Sequence, residues 1–282
     1  MEIDYKALKN GGFMRQKQKD RFSLRLKVVG GNLSTKQLRT IAHVADTFGV
    51  SRVHLTSRQG LEIPFIKLAD TTTVPDKLLQ GEVSPGVCGP RVRTVTACQG
   101  NQVCPSGCVD TFALASEIST RYFGKALPHK FKFGVTGCVN NCLKAEENDV
   151  GVKGGLIVSI NHDNCTLCGV CVKVCREGAI ELHSERIHFE KSLCNYCGRC
   201  VKSCPTDAWV GEPGYQVYFG GTFGNKIALG LVLTPILVNT DQFFKAADTA
   251  LEYFIQHGRP GERFRGVIER TGWEPLREAL NI

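Results

Sequence analysis

The chain has 282 residues, of which 42% are hydrophobic, so it can bury a sizeable core and form about two domains. Its formal charge of +8 suits nucleic acid, an acidic carrier protein or a cofactor with many carboxylates, but no basic tract interleaved with aromatic residues favours nucleic acid. The charged N-terminal stretch lacks the apolar segment of a signal peptide, and the longest apolar run, residues 227–238, is too short to cross a bilayer, so we expect a buried strand and turn there.

The first predicted unit consists of a strand, a helix and further strands. Residues 22–29 alternate apolar and polar side chains and end at a Gly-Gly-Asn turn, which is typical of a strand. Ser34 and Gln37 form a capping box for a helix with helically spaced apolar residues, which ends at Gly49. Two more strands are predicted to follow, at residues 53–56 and 61–66.

A stretch rich in Pro, Gly and Thr, residues 71–90, is predicted to cross to a second domain. A predicted strand at residues 92–97 then leads into a loop with several cysteines. Residues 110–122 have apolar side chains at helical spacing, which predicts a helix that Gly124 ends. Residues 130–135 are predicted to return as a strand.

The composition changes abruptly at residues 161–210, where two cysteine runs lie among short loops, so this segment is predicted to be an insert. After it, residues 216–220 and 228–238 are predicted strands, and residues 241–257 form a predicted amphipathic helix that ends at Gly258. The insert therefore interrupts one domain. The predicted domain boundaries are residues 1–67, 68–160, 161–210 and 211–282.

The two cysteine runs of the insert have the spacing CxxCxxCxxxC, which is that of bacterial two-cluster ferredoxins. In such proteins the fourth cysteine of each run ligates the other cluster. Structural zinc held by CxxC pairs is the alternative. Arg176 stands where proline commonly follows the fourth cysteine, a departure that removes no ligand. We expect two 4Fe-4S clusters with the ligand sets Cys165, Cys168, Cys171, Cys204 and Cys194, Cys197, Cys200, Cys175.

Another group of cysteines has a spacing that is not that of a ferredoxin: Cys98, Cys104, Cys138 and Cys142. With 14 cysteines and no sign of secretion, we expect a cytoplasmic protein whose thiols ligate metal rather than form disulfides. Buried free thiols remain an alternative for this group. Cys88 and Cys108 match no ligand position, and Cys104 with Cys108 also makes a CxxxC, so another choice of ligands stays open.

This second cysteine pattern and several basic motifs resemble the sulfite and nitrite reductase family. The likeness covers most of the chain, and the insert resembles the anaerobic and dissimilatory branch. It implies an α+β protein with the sulfite/nitrite reductase fold: a ferredoxin-like N-terminal unit plus a siroheme/4Fe-4S α/β domain, with an inserted bacterial-type ferredoxin domain that holds two 4Fe-4S clusters. Besides the cysteines, the resemblance lies in residues 56–60 with Arg58, residues 92–95 with Arg93, residues 127–132 with Lys130 and Lys132, and residues 214–221 and 263–272.

The resemblance also implies roles for individual residues. Cys98, Cys104, Cys138 and Cys142 would hold a third 4Fe-4S cluster, which Cys142 bridges to the iron of siroheme, with Asn140 as a further cofactor-binding residue. The basic excess would neutralise the carboxylates of siroheme. Candidates for that contact are Arg15, Lys17, Arg25 and Arg121.

Four basic residues, Arg58, Arg93, Lys130 and Lys132, would contact the anionic substrate by the same resemblance. Arginine offers a planar fork that suits oxyanion oxygens, and lysine is a point charge that also relays protons. In a strand the two lysines project to one face, with phenylalanines on the other. From the spacing alone, a solvated strand face explains the lysines equally well.

Together these features predict a siroheme-dependent sulfite reductase, which forms sulfide with six electrons that enter through the two ferredoxin-type clusters. Nitrite reduction to ammonia and a non-catalytic electron-transfer subunit are the alternatives. No GxGxxG motif follows a strand, so electrons are expected from a flavin-containing, NADH-oxidising subunit with an iron–sulfur subunit, or from ferredoxin. Larger family members have two similar halves, whereas this chain carries both residue sets in one, so we expect a homodimer with shared active sites.

Overall fold

The computed structural model describes residues 3–281. Its N-terminal unit is an antiparallel sheet with helices packed against it. The elements are α1 (Tyr5–Asn10), β1 (Phe13–Arg15), β2 (Arg21–Arg25), α2 (Thr35–Phe48), β3 (His54–Leu55), β4 (Leu61–Lys67) and α3 (Thr73–Gln80). The strand order is β1-β2-β4-β3, so β2 and β4 form the centre of this sheet.

The capping box predicted for α2 is confirmed. The Gln37 amide donates to Ser34 Oγ at 3.1 Å, and the Ser34 amide donates to Gln37 Oε1 at 2.8 Å, so two amides of the first turn are satisfied. The helix ends before Gly49, as predicted. Its buried residues Ile41 and Val44 pack into the core that β2 and β4 share. The predicted strands at 53–56 and 61–66 correspond to β3 and β4.

The segment predicted only to cross between domains contains a helix, α3. Val74 and Leu78 of this helix are fully buried in the N-terminal core, together with Val83 after it. The helix spans only 8 residues and begins beside Pro75, so the sequence shows turn-forming residues more clearly than helical periodicity. Burial against α2 and the sheet therefore decides its conformation.

The rest of the chain forms a second sheet with helices against it. Its elements are β5 (Thr96–Ala97), α4 (Thr111–Tyr122), β6 (Phe133–Thr136), β7 (Val150–Ile160), α5 (Val170–Val174), β8 (Ile180–His183), β9 (Arg186–Phe189), α6 (Arg199–Ser203), β10 (Trp209–Phe219), β11 (Leu231–Val232), α7 (Thr240–His257), α8 (Phe264–Thr271) and α9 (Glu274–Ala279). The strand order is β11-β10-β7-β6-β5. Strands β5, β6 and β7 run parallel, whereas β10 is antiparallel to β7 and β11.

Aromatic packing builds the core beneath this sheet. Phe131 contacts Phe133 and Phe264 with ring centroids 5.2 Å apart, and all three side chains are fully buried. The helices predicted at residues 110–122 and 241–257 are confirmed as α4 and α7, which both pack into this core. This core therefore packs against one side of the segment before β6, through Phe131.

The predicted insert forms a separate small packing unit between β7 and β10. It contains α5, α6 and the β8–β9 hairpin, with its own buried cluster around Ile180, Ile187 and Trp209. The chain leaves β7 at Ile160 and returns to β10 at Trp209, which pairs with it. Two paired strands therefore anchor both ends of the insert to the main sheet.

The prediction of a buried strand and turn at residues 227–238 was wrong over most of its length. Only β11 is a strand there, and Ile227 and Leu229 are 67% and 56% exposed, although Leu237 is buried. β11 is the edge strand of its sheet, so its outer side meets no neighbouring strand in the described residues. Among residues 3–281, none of the helices is long and apolar enough to cross a membrane.

Candidate functional site

The four basic residues singled out in the sequence lie around one cavity. Arg58, Arg93, Lys130 and Lys132 all line a space of about 250 Å³ between the N-terminal unit and the second sheet. Arg25 lines it as well, paired with Glu62 at 2.6 Å. Residues that are far apart in sequence thus place a dense positive charge in one pocket, which is suited to a small anion.

Arg58 lies in the tight turn between β3 and β4. The next residue, Gln59, has a positive φ of 56°, and the Thr56 amide donates to the Gly60 carbonyl at 2.9 Å, which closes the turn. The Arg58 guanidinium donates to Asn148 Oδ1 at 2.8 Å and to the Thr94 carbonyl at 3.3 Å. Burial lowers the pKa of Arg58 to about 10, so it stays protonated at neutral pH.

Arg93 is fixed by backbone carbonyls. Its two Nη atoms donate to the carbonyls of Val87 and Gly89, each at 2.9 Å. Its buried Nε has no hydrogen-bond partner within the described chain. Burial lowers the pKa of Arg93, and the charge of Arg25 lowers it further. An anion in the pocket would relieve the cost of this crowded positive charge.

Lys130 and Lys132 alternate along the chain with two phenylalanines of the aromatic core. Phe131 and Phe133 are fully buried, whereas Lys130 and Lys132 line the pocket on the opposite side of the segment. Burial lowers the pKa of Lys132 to about 8, with the positive charges of Arg58 and Arg263 as the next causes. The pKa of Lys130 is also lowered, again mainly by burial. Lys132 can therefore act as a proton donor near neutral pH.

The sequence motifs assigned no role to three supporting residues, Asn148, Asp149 and Arg263, although Arg263 begins the 263–272 segment of the family resemblance. Asp149 is fully buried and accepts two hydrogen bonds from Arg263, at 3.0 and 3.1 Å, and one from the Lys132 amide at 2.9 Å. Asn148 holds Arg58 and donates to the carbonyls of Lys144 and Ala145, each at 3.2 Å. The sequence does contain a signal for Asn148 and Asp149, since these two polar residues directly precede the apolar strand β7. Only the structure shows which residues they contact.

The quartet Cys98, Cys104, Cys138 and Cys142 lies at the carboxyl ends of β5 and β6. Because these strands are parallel, with Ala97 opposite Val135, the loops that follow them meet at one edge of the sheet. The Gly137 amide donates to Cys98 Sγ at 3.0 Å. Burial raises the pKa of the Cys138 thiol, the charges of the other three thiols raise it further, and a hydrogen bond from the Asn140 backbone opposes them. The structure thus places the four cysteines on two neighbouring loops at one edge of the sheet.

An open space of about 460 Å³ lies beside the quartet. Gly30, Gly31, Gln59, Cys98 and Cys142 are among its lining residues. Thr56 and Gly60 line both this space and the basic pocket, so the turn that carries Arg58 separates the two. The pocket and the quartet are therefore neighbours within one chain.

Comparison with known proteins gives two family matches that together cover most of the chain. A family described as "Nitrite and sulphite reductase 4Fe-4S domain" matches residues 88–282, and one described as "Nitrite/Sulfite reductase ferredoxin-like half domain" matches residues 14–81. The chain belongs to the nitrite and sulfite reductase family. The predicted family and its iron–sulfur, oxidoreductase character are thereby confirmed.

Similar members of the nitrite and sulfite reductase family include two named sulfite reductases. The coenzyme F420-dependent sulfite reductase of Methanocaldococcus jannaschii is 31% identical over 254 residues, which are 89% of this chain but 40% of that protein. A subunit of the anaerobic sulfite reductase of Salmonella typhimurium is 32% identical over 246 residues, 80% of this chain and 72% of that one. The crystal structure of dissimilatory sulfite reductase I superposes with a TM-score of 0.75 at 19% identity, over 92% of this chain and 69% of that chain. The predicted sulfite/nitrite reductase fold is confirmed.

The quartet suits the 4Fe-4S group of this reductase family in its donor chemistry and in its surroundings. A Cβ at Gly137 would lie 3.5 Å from Cys98 Sγ and 2.9 Å from the Gly100 Cα, so glycine keeps bare backbone beside the thiol. Among the described residues, no three His, Cys, Asp or Glu side chains are arranged to hold a metal ion. A cubane differs from a single ion because each thiolate binds a separate iron atom.

The insert cysteines form two groups that interleave the two runs. One small cavity is lined by Cys175, Cys194, Cys197 and Cys200, and another by Cys165, Cys168, Cys171 and Cys204. In each group the fourth cysteine comes from the other run, which is the arrangement expected for a two-cluster ferredoxin. Burial raises the pKa of the Cys200 thiol to about 12, so a free thiolate there is unfavourable without a metal partner.

The remaining candidates lie in different places. Cys88 is buried beside the basic pocket, where Arg25 Nη1 donates to its sulfur at 3.5 Å. Arg121 pairs with Glu117 and covers the ring of Phe244, so the fold gives it a structural role away from the pocket. Arg15 covers the ring of Tyr5 in the N-terminal unit, and Lys17 lines a separate surface groove.

Proposed function

We propose that this chain carries out siroheme-dependent reduction of sulfite to sulfide. The observation that supports this most directly is the basic pocket, where Arg58, Arg93, Lys130 and Lys132 face one cavity that shares a wall with the space beside Cys142. The family resemblance implies that Cys142 would help to hold both a 4Fe-4S cluster and siroheme, with Asn140 as a further cofactor-binding residue. When bound, that pair supplies electrons to a single sulfur atom.

The protein residues in this proposal bind the anion and deliver protons. Arg58 and Arg93 have guanidinium groups fixed by hydrogen bonds to Asn148 and to backbone carbonyls, so they present donors to sulfite oxygens without reorganisation. Lys130 and Lys132 add positive charge as the oxygens take up protons and leave as water. The lowered pKa of Lys132 makes it the better proton donor of the two near neutral pH.

Electrons enter from outside the chain in this proposal. The two interleaved cysteine groups of the insert would hold two further 4Fe-4S clusters, for a total of three. The donor would be a flavin-containing, NADH-oxidising subunit with an iron–sulfur subunit, or ferredoxin. A reducing cytoplasm would keep the ligand thiols available.

Steady-state turnover of the anaerobically reconstituted protein tests the proposal. We expect a chemical reductant to support sulfite reduction to sulfide, with kcat/KM for sulfite above that for nitrite. A higher kcat/KM for nitrite would replace the proposed substrate with nitrite. If a fully loaded protein consumes neither anion, the enzyme proposal is wrong and a non-catalytic electron-transfer role takes its place.

The pH dependence of turnover should follow Lys132. Its pKa is lowered to about 8, so it is protonated below that pH and loses its charge as the pH rises through it. We expect kcat/KM for sulfite to fall about tenfold per pH unit at higher pH, because kcat/KM reports ionisation of the free enzyme. The Lys132→Arg variant should lack this alkaline limb, whereas Lys67→Arg, at an exposed position, should keep it. An unchanged limb in Lys132→Arg would exclude Lys132 as its source.

A homodimer with shared active sites, the expectation from the half-sized chain, is the alternative to a site within one chain, where the basic pocket and the space beside Cys142 share a wall. Each shared site would take its cluster from one protomer and its anion-binding residues from the other. Co-expression of a Cys142→Ser chain with an Arg93, Lys130, Lys132 triple methionine variant should then restore about a quarter to a half of the activity, since some mixed dimers contain one intact site. Continued inactivity of isolated mixed dimers would place each site within a single chain.

A further inference from the structure

The insert contains an internal repeat whose two halves have different surroundings. Residues 165–175 read CTLCGVCVKVC and residues 194–204 read CNYCGRCVKSC, with the same residue at seven positions. The structures repeat as well, since a glycine in the left-handed region, Gly169 or Gly198, precedes each short helix α5 or α6. Differences in what the two halves touch therefore identify what each half does.

The second half contacts the loop that carries the quartet. Lys202 Nζ donates to the carbonyls of Pro105 and Gly107, at 2.8 and 3.0 Å. These two residues lie between Cys104, a member of the quartet, and Cys108. Lys173 holds the corresponding position in the first half. Both lysines are exposed, but within residues 3–281 only Lys202 of the two has a side-chain hydrogen-bond partner. The lysine at this repeat position therefore contacts the quartet loop only in the second half.

Two more contacts join the second cysteine run to the main sheet. The Leu156 amide in β7 donates to the Tyr196 carbonyl at 2.8 Å, where the first half has Leu167 at the repeat position. A Cβ at Gly155 would lie 2.8 Å from the Tyr196 Cβ, so glycine permits this close approach. The second cysteine run therefore packs directly on the sheet that ends at the quartet.

Cys108, which matched no ligand position, lies at the centre of this contact. It is 5% exposed and packs with Val109 and Cys138 in one small apolar cluster. Its sulfur lies 4.0 Å from the Cys197 carbonyl oxygen. One buried side chain thus touches a residue of the quartet and a residue of the second run, and Cys197 belongs to the group Cys175, Cys194, Cys197 and Cys200.

We propose that Lys202 is a positioning residue that docks the second cysteine run against the quartet loop. The group nearer the quartet is then the inner site of the insert: Cys175, Cys194, Cys197 and Cys200. The other group is the outer site: Cys165, Cys168, Cys171 and Cys204. None of the described residues that line the outer site belongs to the quartet loop. This assignment deepens the proposed function, on which it rests for its electron-transfer role.

The assignment gives the electrons an order. With clusters bound, the outer cysteines would hold the group that accepts one electron from a reduced iron–sulfur or flavin carrier protein, which is oxidised. The inner cysteines would hold the group that passes this electron on to the quartet, and six such transfers would match the demand of one sulfite. The role of the chain is to hold the inner site against the quartet loop, since buried Cys108 packs with Cys138 of the quartet and its sulfur lies 4.0 Å from the Cys197 carbonyl oxygen.

Two matched lysine variants of the reconstituted holoprotein test the contact between Lys202 and the quartet loop. Lys202→Met removes both hydrogen bonds, and Lys173→Met removes the same charge from the repeat position. We expect amide hydrogen exchange at Leu156 to become about tenfold faster in Lys202→Met and to stay unchanged in Lys173→Met. The magnetic interaction between the reduced inner site and the quartet, seen by electron paramagnetic resonance, should weaken only in Lys202→Met.

Turnover driven by a carrier protein provides the functional measurement. Lys202→Met should lower kcat about tenfold with an unchanged KM for sulfite, because the basic pocket is untouched. Equal exchange rates and equal magnetic interactions in the two variants would overturn the positioning role. If the unmodified chain does not reduce sulfite, the proposed function fails, and the exchange and resonance measurements still decide whether Lys202 docks the insert.

Discussion

Replacing Arg58 with methionine is expected to lower kcat/KM for sulfite by about 100- to 1,000-fold, the usual cost of removing a fixed donor to a reacting oxyanion. Arg58 lies in the wall between the basic pocket and the quartet, and its guanidinium is held by Asn148 at 2.8 Å. Methionine has similar length without charge or donors. Steady-state kinetics with a chemical reductant measures the effect without involving the carrier protein.

The matched control is Arg52→Met. Arg52 precedes β3 in the same unit but is exposed and covers the ring of Phe65 outside the basic pocket. We expect its kcat/KM to stay within about twofold of the unmodified chain, since surface substitutions change stability by only a few tenths of a kcal/mol. Equal kinetics for Arg58→Met and Arg52→Met, with full cluster and siroheme content in both, would contradict the role proposed for Arg58.

The largest expected loss of stability comes from Asp149→Ala. Asp149 is fully buried, and its carboxylate accepts hydrogen bonds from Arg263 and from the Lys132 amide. Its removal leaves a partly buried guanidinium and a buried amide without partners, which costs about 3–5 kcal/mol. The holoprotein should therefore melt about 6–15 °C lower, as measured by circular dichroism during a thermal scan.

Asp46→Ala is the comparison for this variant. Asp46 lies on the exposed face of α2, so its replacement should leave the melting temperature within about 2 °C of the unmodified value. A melting temperature for Asp149→Ala as high as that of Asp46→Ala would show that the Arg263 pair contributes little. The Asp149→Ala variant should also show a raised KM for sulfite, because Asp149 fixes the backbone of Lys132.

Local signals predicted much of the secondary structure correctly. α2 has both a capping box and helical periodicity, and α4 and α7 have long amphipathic patterns, so three strong elements are where the sequence places them. The failures share a cause. α3 is short and rich in turn formers, and residues 227–238 are apolar but lie at a sheet edge, so only the neighbours present in the fold decide their conformation and burial.

The site residues also divide into those that the sequence predicted and those that only the structure showed. The cysteine spacing alone indicated two interleaved groups, because three close cysteines leave the fourth ligand to the other run. For Lys130 and Lys132 the spacing left a solvated face equally plausible, and the structure shows both lining a pocket with Arg58 and Arg93. Asn148 and Asp149 were not singled out, and Arg263 entered only as the start of the 263–272 segment without a role, since their partners are distant in sequence.

Residue order was enough to specify the kinds of groups present: thiols at cluster spacing, basic residues on short motifs and a repeat within the insert. These patterns are local, because a ligand loop or a strand needs only neighbouring residues to specify it. Which distant groups meet was visible only in the folded chain. The shared wall between the basic pocket and the quartet, the buried pair of Asp149 with Arg263, and the contact of Lys202 with the Cys104–Cys108 loop depend on long-range packing, which residue spacing does not encode.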